Sequence, residues 1–162
     1  MYAHSIQERL LRSIAQEENV VDGLAKCGVD LLDMVKAGGV VLCFADRYVT
    51  VGEAPHEAEV KHLVEWPGLQ NDKEVFYTNA LPGIYAAAKR YKDIACGLLA
   101  ISVLPGNRIL WFRPEVSQVT FTDENHNTIM AGYSEALPWQ PGEIAAARVL
   151  RNALVERLLN DL

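Results

Sequence analysis

The stretch ILWFRPEVSQVTFTDENHN, residues 109–127, decides the fold of this chain. It opens with an apolar run that favours a β-strand, and strand alternation places Trp111 and Arg113 together on one of its two faces. Pro114 cannot donate a hydrogen bond to a neighbouring strand, so we predict that the chain leaves the sheet there. The alternative for the apolar run is an edge strand with a purely structural role.

Other strand-like segments lie on both sides of this stretch. Residues 95–103 lead into it through a Pro-Gly-Asn turn, and residues 40–51 have the pattern of a tight β-hairpin. A short strand and a second, polar-tipped pair are also expected from β-propensity. The predicted strands are residues 40–44, 47–51, 75–77, 95–103, 108–112, 116–121 and 128–133.

Capping and stop signals predict the helices. Ser5 and Glu8 have the spacing of a capping box, Pro55 suits a first helical position, and Asn79 is a plausible cap. Gly38 and Gly39 are expected to stop a helix in the left-handed conformation. The predicted helices are residues 5–16, one or two segments within 20–35, 55–67, 81–91 and 143–162. Together the elements predict one α+β domain, with helices covering a central antiparallel sheet.

Composition narrows the class of protein. The chain has 162 residues, 50% hydrophobic and 22% charged, with a net charge of −6 and no cluster of Lys or Arg. We therefore expect neither nucleic acid nor an anionic membrane as a partner. No apolar run is long enough to cross a bilayer, and the first residues do not form a secretory signal. Three widely spaced cysteines suggest reduced core thiols and a cytoplasmic protein.

The sequence contains no set of residues with the spacing of a known catalytic or metal-binding motif. His56 and His62 flank Glu57 and Glu59, but a zinc-protease helix needs its two His four positions apart, and here the interval is six. Cys96 has apolar neighbours and no nearby base, so a structural thiol is favoured over a nucleophile. We assign no catalytic, cofactor-binding or metal-ligating residue, and an enzyme is the least favoured class.

Several motifs in the chain resemble the PHY domain, the phytochrome-specific module of red/far-red photoreceptors of plants and bacteria, cyanobacteria included. The motifs occur in family order over nearly the whole chain: VDGL, VVLCF, VGEAP, VFYTNAL, GLLAISV, RILWFRPEVSQV and LPWQPGEIAAARVLRNALV. The resemblance implies a GAF-like fold with a central antiparallel sheet and a long C-terminal helix. It also implies that a linear tetrapyrrole (bilin) is bound by a preceding GAF domain of the parent receptor, with no cofactor bound by this chain.

The resemblance assigns the opening stretch to the base of the tongue, a hairpin that reaches from the PHY sheet to the chromophore pocket. The implied tongue-base and relay residues are Trp111, Phe112, Arg113, Pro114, Glu115, Pro138 and Trp139. The tongue itself would be about residues 115–137, and it departs from the family. It is far shorter, and it lacks the Trp-Gly-Gly stretch and the Pro-Arg-x-Ser-Phe motif. The tongue is therefore shortened or replaced, whether naturally or by excision.

The resemblance makes the C-terminal helix, about residues 141–162, the connection to an output module. One apolar stripe is expected to pack on the sheet, and apolar character continues around the helix near its end, where we expect the domain no longer to cover it. Weak dimerisation through this helix is expected, although Arg148 and Arg151 interrupt a strict heptad. The stripe is Ile144, Ala147, Leu150, Leu154 and Leu158, and the implied output-helix residues are Leu150, Leu154, Val155, Leu158 and Leu162.

The sequence thus predicts a signal-relay domain without catalysis of its own. Its partners would be the adjacent GAF domain and a C-terminal output module, commonly a histidine kinase. The alternative is a GAF-like regulatory domain that binds a small molecule directly, either a bilin or a cyclic nucleotide. Few convergent polar residues on the core strands argue against that alternative.

Overall fold

The opening stretch forms the middle strand of a five-stranded antiparallel sheet. This computed structural model describes residues 2–16, 19–70, 74–116, 120–122, 124–125, 128–130 and 135–161. The strand order is β2-β1-β5-β4-β3. The strands are β1 (Gly39–Phe44), β2 (Arg47–Gly52), β3 (Val75–Thr78), β4 (Gly97–Ser102) and β5 (Asn107–Arg113).

The central position of β5 overturns the edge-strand alternative. Leu110 pairs with Val41 of β1 on one side and with Ala100 of β4 on the other. Both faces of β5 are covered, since Trp111 and Phe112 point to opposite sides and are each fully buried. A strand buried on both faces has a continuous apolar run, so the run at residues 109–112 was itself a signal for a central strand.

Helices form a layer on each face of the sheet. The Trp111 face is covered by α1 (Tyr2–Gln16), α2 (Val20–Lys26), α3 (Gly28–Met34) and the long C-terminal helix, which we call α7 (Pro141–Asn160). The Phe112 face is covered by α4 (Glu57–Glu65), α5 (Pro67–Gln70), α6 (Leu81–Ile84) and a 3₁₀ helix (Ala86–Tyr91). The predicted α+β architecture is confirmed.

Two predicted helix boundaries are wrong for local reasons. Helix α1 begins at Tyr2, so Ser5 lies inside it rather than at its cap. Helix α4 is capped by His56, whose side chain accepts a hydrogen bond from the backbone N–H of Glu59 while Glu59 reaches back to the backbone N–H of His56. Pro55 therefore precedes the helix instead of opening it.

The predicted helix over residues 81–91 is broken. It consists of the single turn of α6 and the 3₁₀ helix, which are separated by Tyr85 in an extended conformation. Asn79 does not cap it; its carbonyl instead accepts a hydrogen bond from the backbone N–H of Ala136 at 2.7 Å. Tertiary contacts have overridden helix propensity here.

Neither glycine after α3 terminates that helix, and Gly39 instead serves close packing. Helix α3 ends at Met34, and the positive φ that follows belongs to Lys36, at 52°. A Cβ on Gly39 would lie 1.7 Å from the carbonyl oxygen of Glu53, so only glycine lets β1 approach the end of β2 this closely.

Beyond β5 the structure contains a second, two-stranded sheet, β6 (Thr120–Thr122) and β7 (Thr128–Met130). Thr120 pairs with Met130 in an antiparallel hairpin. Val116, predicted to open the first of these strands, lies outside it, and the predicted strand residues 117–119 and 131–133 fall outside the described part of the chain.

Candidate functional site at the end of the central strand

The two ends of the predicted tongue segment lie side by side at the end of β5. The backbone N–H of Val116, on the outgoing chain, donates to the carbonyl of Glu135, on the returning chain, at 2.9 Å. Ala136 follows Glu135 on the returning chain, and its backbone N–H donates to the carbonyl of Asn79, just after the end of β3. The outgoing and returning chains are thus hydrogen-bonded to each other where the tongue segment begins and ends. We call this pairing the closed base of the tongue segment.

Arg113, the last residue of β5, is the centre of this base. Its guanidinium is buried and donates to four carbonyls: Val35 at 2.6 Å, Lys36 at 3.2 Å, Leu137 at 3.1 Å and Pro138 at 2.9 Å. The first two carbonyls belong to the turn that follows α3, and the last two belong to the chain returning from the tongue segment. One side chain therefore joins three separate parts of the fold, as the five fixed donors of Arg permit.

The counter-ion of this guanidinium is Glu143 in the first turn of α7. An Arg113 Nη lies 2.7 Å from an Oε of Glu143, and only 6% and 11% of the two side chains are exposed. The other carboxylate oxygen accepts a hydrogen bond from the backbone N–H of Gln140 at 2.7 Å, which caps the helix. A carboxylate in a first helical turn is also favoured by the helix dipole. Glu143 thus ties the start of α7 to the end of β5.

Trp139 completes the site, which we call the Arg113 cluster: Arg113, Glu143, Trp139 and the four carbonyls. The guanidinium carbon lies 3.9 Å from the centre of the Trp139 ring, a cation–π contact in a site shielded from water. The indole N–H donates to the carbonyl of Thr78 at 3.1 Å, so Trp139 also fixes the edge strand β3. Gly97, opposite Arg113 on β4, has no side chain to obstruct the cluster; a Cβ there would lie 2.9 Å from that of Ala136.

The other predicted tongue-base residues surround this cluster without all contacting it. Trp111 lies on the same face and donates its indole N–H to Leu31 at 3.0 Å, whereas Phe112 packs on the opposite face. Pro114 is exposed immediately after the strand, and Pro138 contributes only its carbonyl to Arg113. The Glu115 carboxylate lies 3.5 Å from the ammonium of Lys92.

The predicted output helix is covered more completely than expected. Leu150 and Leu154 are buried in the core as predicted. Leu158, part of the stripe expected to pack, does contact the same core. Val155, expected to be uncovered, also packs there because α1 runs beside this end of α7, where Arg157 donates to the carbonyl of Ile14. Leu159 is 51% exposed, as expected. Leu162 lies outside the described residues.

Sequence reasoning missed Glu143 and the carbonyls at the end of α3. A buried Arg at a strand end needs a counter-ion, and Glu143 is the only acidic residue in the first turn of α7. That requirement is the signal that could have found the pair. The carbonyls depend on the turn at Lys36, which nothing in the sequence pattern specifies.

The described residues hold no assembled reactive group. Burial raises the pKa of the Cys43 thiol to about 12 and that of Cys96 to about 11, with Arg108 slightly opposing the rise at Cys43 and Glu115 adding to it at Cys96. Thiols with such pKa values are poor nucleophiles at neutral pH. No group of three His, Cys, Asp or Glu side chains that could hold a metal ion occurs within the described ranges, His56 and His62 included. None of the described helices combines the length and apolarity needed to cross a bilayer.

The sheet, its two helical layers and the long α7 define a GAF-like α+β domain whose buried ionic cluster lies at the base of an inserted hairpin. The family model described as the phytochrome region, PHY, matches residues 3–131. The chain therefore belongs to the PHY family of phytochrome photoreceptors, as the motifs predicted.

Relatives of known name agree with this assignment. Cyanobacterial phytochrome A of Nostoc sp. is 39% identical over 96% of this chain and 23% of its own length, and phytochrome-like protein Cph1 of Synechocystis sp. is 34% identical over 94% and 23%. This chain thus spans about a quarter of the length of these relatives. The Nostoc alignment extends over 178 residues, more than the 162 of this chain, so that relative contains residues without a counterpart here.

Solved structures show the same fold. The photosensory core module of Stigmatella aurantiaca phytochrome superposes with a TM-score of 0.85 at 30% identity, covering 98% of this chain and 36% of that one. Bacteriophytochrome RpBphP3 of R. palustris gives a TM-score of 0.82 at 29% identity with the same coverage.

Proposed function

We propose that this chain is the signal-relay domain of a cytoplasmic phytochrome-type red/far-red sensor. A preceding GAF domain of the parent receptor would hold the bilin, and α7 would lead to an output module such as a histidine kinase. The chain would have no catalysis of its own. Membership of the PHY family and the small share of each relative that the chain covers support this proposal.

The observation that carries the proposal is the Arg113–Glu143 pair. Arg113 holds the chain that returns from the tongue segment through the carbonyls of Leu137 and Pro138. The same guanidinium holds the first turn of α7 through Glu143. A displacement of the tongue base would therefore act directly on the start of α7, because no flexible segment lies between them. A mechanical relay requires such a direct connection.

We further propose that residues 115–137 are a shortened tongue. The segment lacks the family's Trp-Gly-Gly and Pro-Arg-x-Ser-Phe motifs, and its described hairpin consists of two strands of three residues each. An extended chain gains at most about 3.3–3.6 Å per residue, so a hairpin of this length is too short to seal a pocket on another domain. The relay would then depend on the closed base rather than on the tongue tip.

Visible absorption tests the assignment of the pigment to a neighbouring domain. The purified chain is incubated with a linear tetrapyrrole and desalted, in parallel with a chimera in which this chain replaces the matching region of the Nostoc phytochrome. We expect no red band from the chain alone and a red/far-red photoconverting band from the chimera. A band retained by the chain alone, reversible under red light, would make this chain a pigment-binding domain.

A further inference from the structure

We propose that Arg151 is a second positioning residue of α7, and that it makes a displacement at the start of this helix tilt the helix instead of sliding it along the sheet. This role rests on the proposed relay, since it concerns how a movement at the Arg113 cluster would travel along α7. The contacts of Arg151 lie at the other end of the sheet and share no residue with that cluster.

Arg151 joins the middle of α7 to the end of β4. Its Nε–H donates to the carbonyl of Ser102, the last residue of that strand, at 3.0 Å. Only 19% of the Arg151 side chain is exposed, and a hydrogen bond from a charged donor is stronger than one between neutral groups. Because the acceptor is a backbone atom of an interior strand, this contact holds α7 to the sheet itself.

Glu74, just before β3, is the second partner of Arg151. Its carboxylate lies 3.5 Å from an Nη of Arg151 and 3.7 Å from an Nη of Arg148. Its carbonyl accepts a hydrogen bond from the backbone N–H of Ser102 at 3.0 Å. The Glu74 side chain is 55% exposed, so its ion pairs contribute little, and we assign the positioning role to the bond between Arg151 and Ser102.

The two polar contacts of α7 lie at opposite ends of the sheet. Arg113 pairs with Gly97 at the start of β4, whereas Ser102 ends the same strand. The strand from Gly97 to Ser102 spans about 17 Å, and the helix from Glu143 to Arg151 spans about 12 Å. Helix α7 therefore crosses the sheet from the Arg113 cluster to the end of β4, with a polar contact at each end.

The contact at Arg151 restricts how α7 can move. The buried side chains between the two contacts, Ala147 and Leu150, make only apolar contacts, which are not directional. A slide by one residue, about 1.5 Å, would break the Arg151–Ser102 hydrogen bond, whereas a tilt about Arg151 would keep it. A movement at Glu143 would then swing residues 152–160 in the opposite direction, against α1.

Residual dipolar couplings of backbone amides test this directly, because they report the orientation of α7 relative to the sheet. Arg113→Lys alters the contact at the start of α7, and Glu143→Gln is a milder variant that keeps the side-chain volume. A displacement of about 1 Å at the end of a lever of about 12 Å corresponds to a tilt of about 5°. We expect a tilt of about this size in both variants, with the Arg151 Nε–H resonance still hydrogen-bonded.

Arg151→Met tests whether the tilt depends on this contact. Combined with Arg113→Lys, it should abolish the tilt, because α7 can then slide. Arg148→Met is the matched control, since Arg148 pairs with Glu74 while both side chains are more than half exposed, and it should leave the tilt unchanged.

Three results would overturn the role of Arg151: unchanged couplings in both Arg113→Lys and Glu143→Gln, loss of the Arg151 Nε–H hydrogen bond with the orientation of α7 retained, or an equal tilt with Arg151→Met. The measurement uses neither pigment nor light. A tilt in the chain without any light response of the chimera would therefore count against the relay and not against the role of Arg151.

Discussion

Arg113 and Glu143 should be strongly coupled in stability, because each is the partner that makes burial of the other tolerable. Arg113→Met leaves Glu143 with a buried charge and four carbonyls without their donor. Breaking a buried pair from one side typically costs about 3–5 kcal/mol. We expect urea denaturation of Arg113→Met to show a loss of that size.

A double-mutant cycle with Glu143→Leu separates the pair from the carbonyl contacts. The double variant should lose less than the sum of the single losses, since no unpaired charge remains. Arg47→Met is the matched control, because Arg47 pairs with Asp22 while both are about half exposed, and such pairs contribute about 0–1 kcal/mol. Additive losses for Arg113 and Glu143 would contradict the coupling.

Cys43 should make stability fall at alkaline pH. Its folded pKa is about 12 and its ordinary value is 9.0, so above pH 9 the unfolded chain loses this proton first and unfolding becomes more favourable. The contribution is complete below pH 9 and is lost as the pH rises toward 12, at about 1.4 kcal/mol per pH unit. Unfolding free energies measured from pH 8 to 11 should fall less steeply for Cys43→Ala. Equal pH slopes for the unaltered chain and Cys43→Ala would mean that folding does not raise the pKa of Cys43.

At the scale of elements, the approach of β1 to the end of β2 depends on Gly39. Gly39→Ala places a Cβ against the backbone of Glu53, which no side-chain rotation relieves, and we expect a loss of about 2–4 kcal/mol. Gly83→Ala is the matched control, because nothing lies within 4 Å of its added Cβ and its helix favours Ala. Thermal unfolding that affects both variants equally would contradict the close-packing argument.

The strands could be predicted because their sequence signals are local. The Arg113 cluster could not, because its contacts join distant parts of the chain. An apolar run ended by Pro114 locates β5 within one or two residues, but its central position depends on pairing with β1, about 70 residues away in sequence. Strand alternation located Arg113 on one face of β5, but its role, like that of Trp139, was assigned only through the family resemblance. The contacts of Arg113 with Trp139 and Glu143 join residues that are far apart in sequence, and no local pattern encodes them.

For the whole molecule, the exposed side of α7 is the surface available for the proposed weak dimer. Val149 is 44% exposed and Leu159 is 51% exposed, whereas the buried stripe faces the core. We expect sedimentation to show a monomer at micromolar concentration and partial dimer near millimolar concentration, with Leu159→Lys shifting the chain toward monomer. Glu156→Lys, also exposed on α7, controls for the added charge. A mass that stays monomeric throughout would exclude dimerisation by this chain alone.

The proposed relay would be a property of the whole receptor, and hydrogen exchange would measure it most directly. In the chimera with the Nostoc phytochrome, amide exchange of α7 is compared in darkness and under red light, for the unaltered chain and for Arg113→Lys. Lys keeps the charge but cannot make the same set of hydrogen bonds. We predict that light changes α7 exchange in the unaltered chimera and that Arg113→Lys reduces the change while the bilin still photoconverts. A full light-induced change in Arg113→Lys, or none in the unaltered chimera, would contradict a relay through the Arg113 cluster.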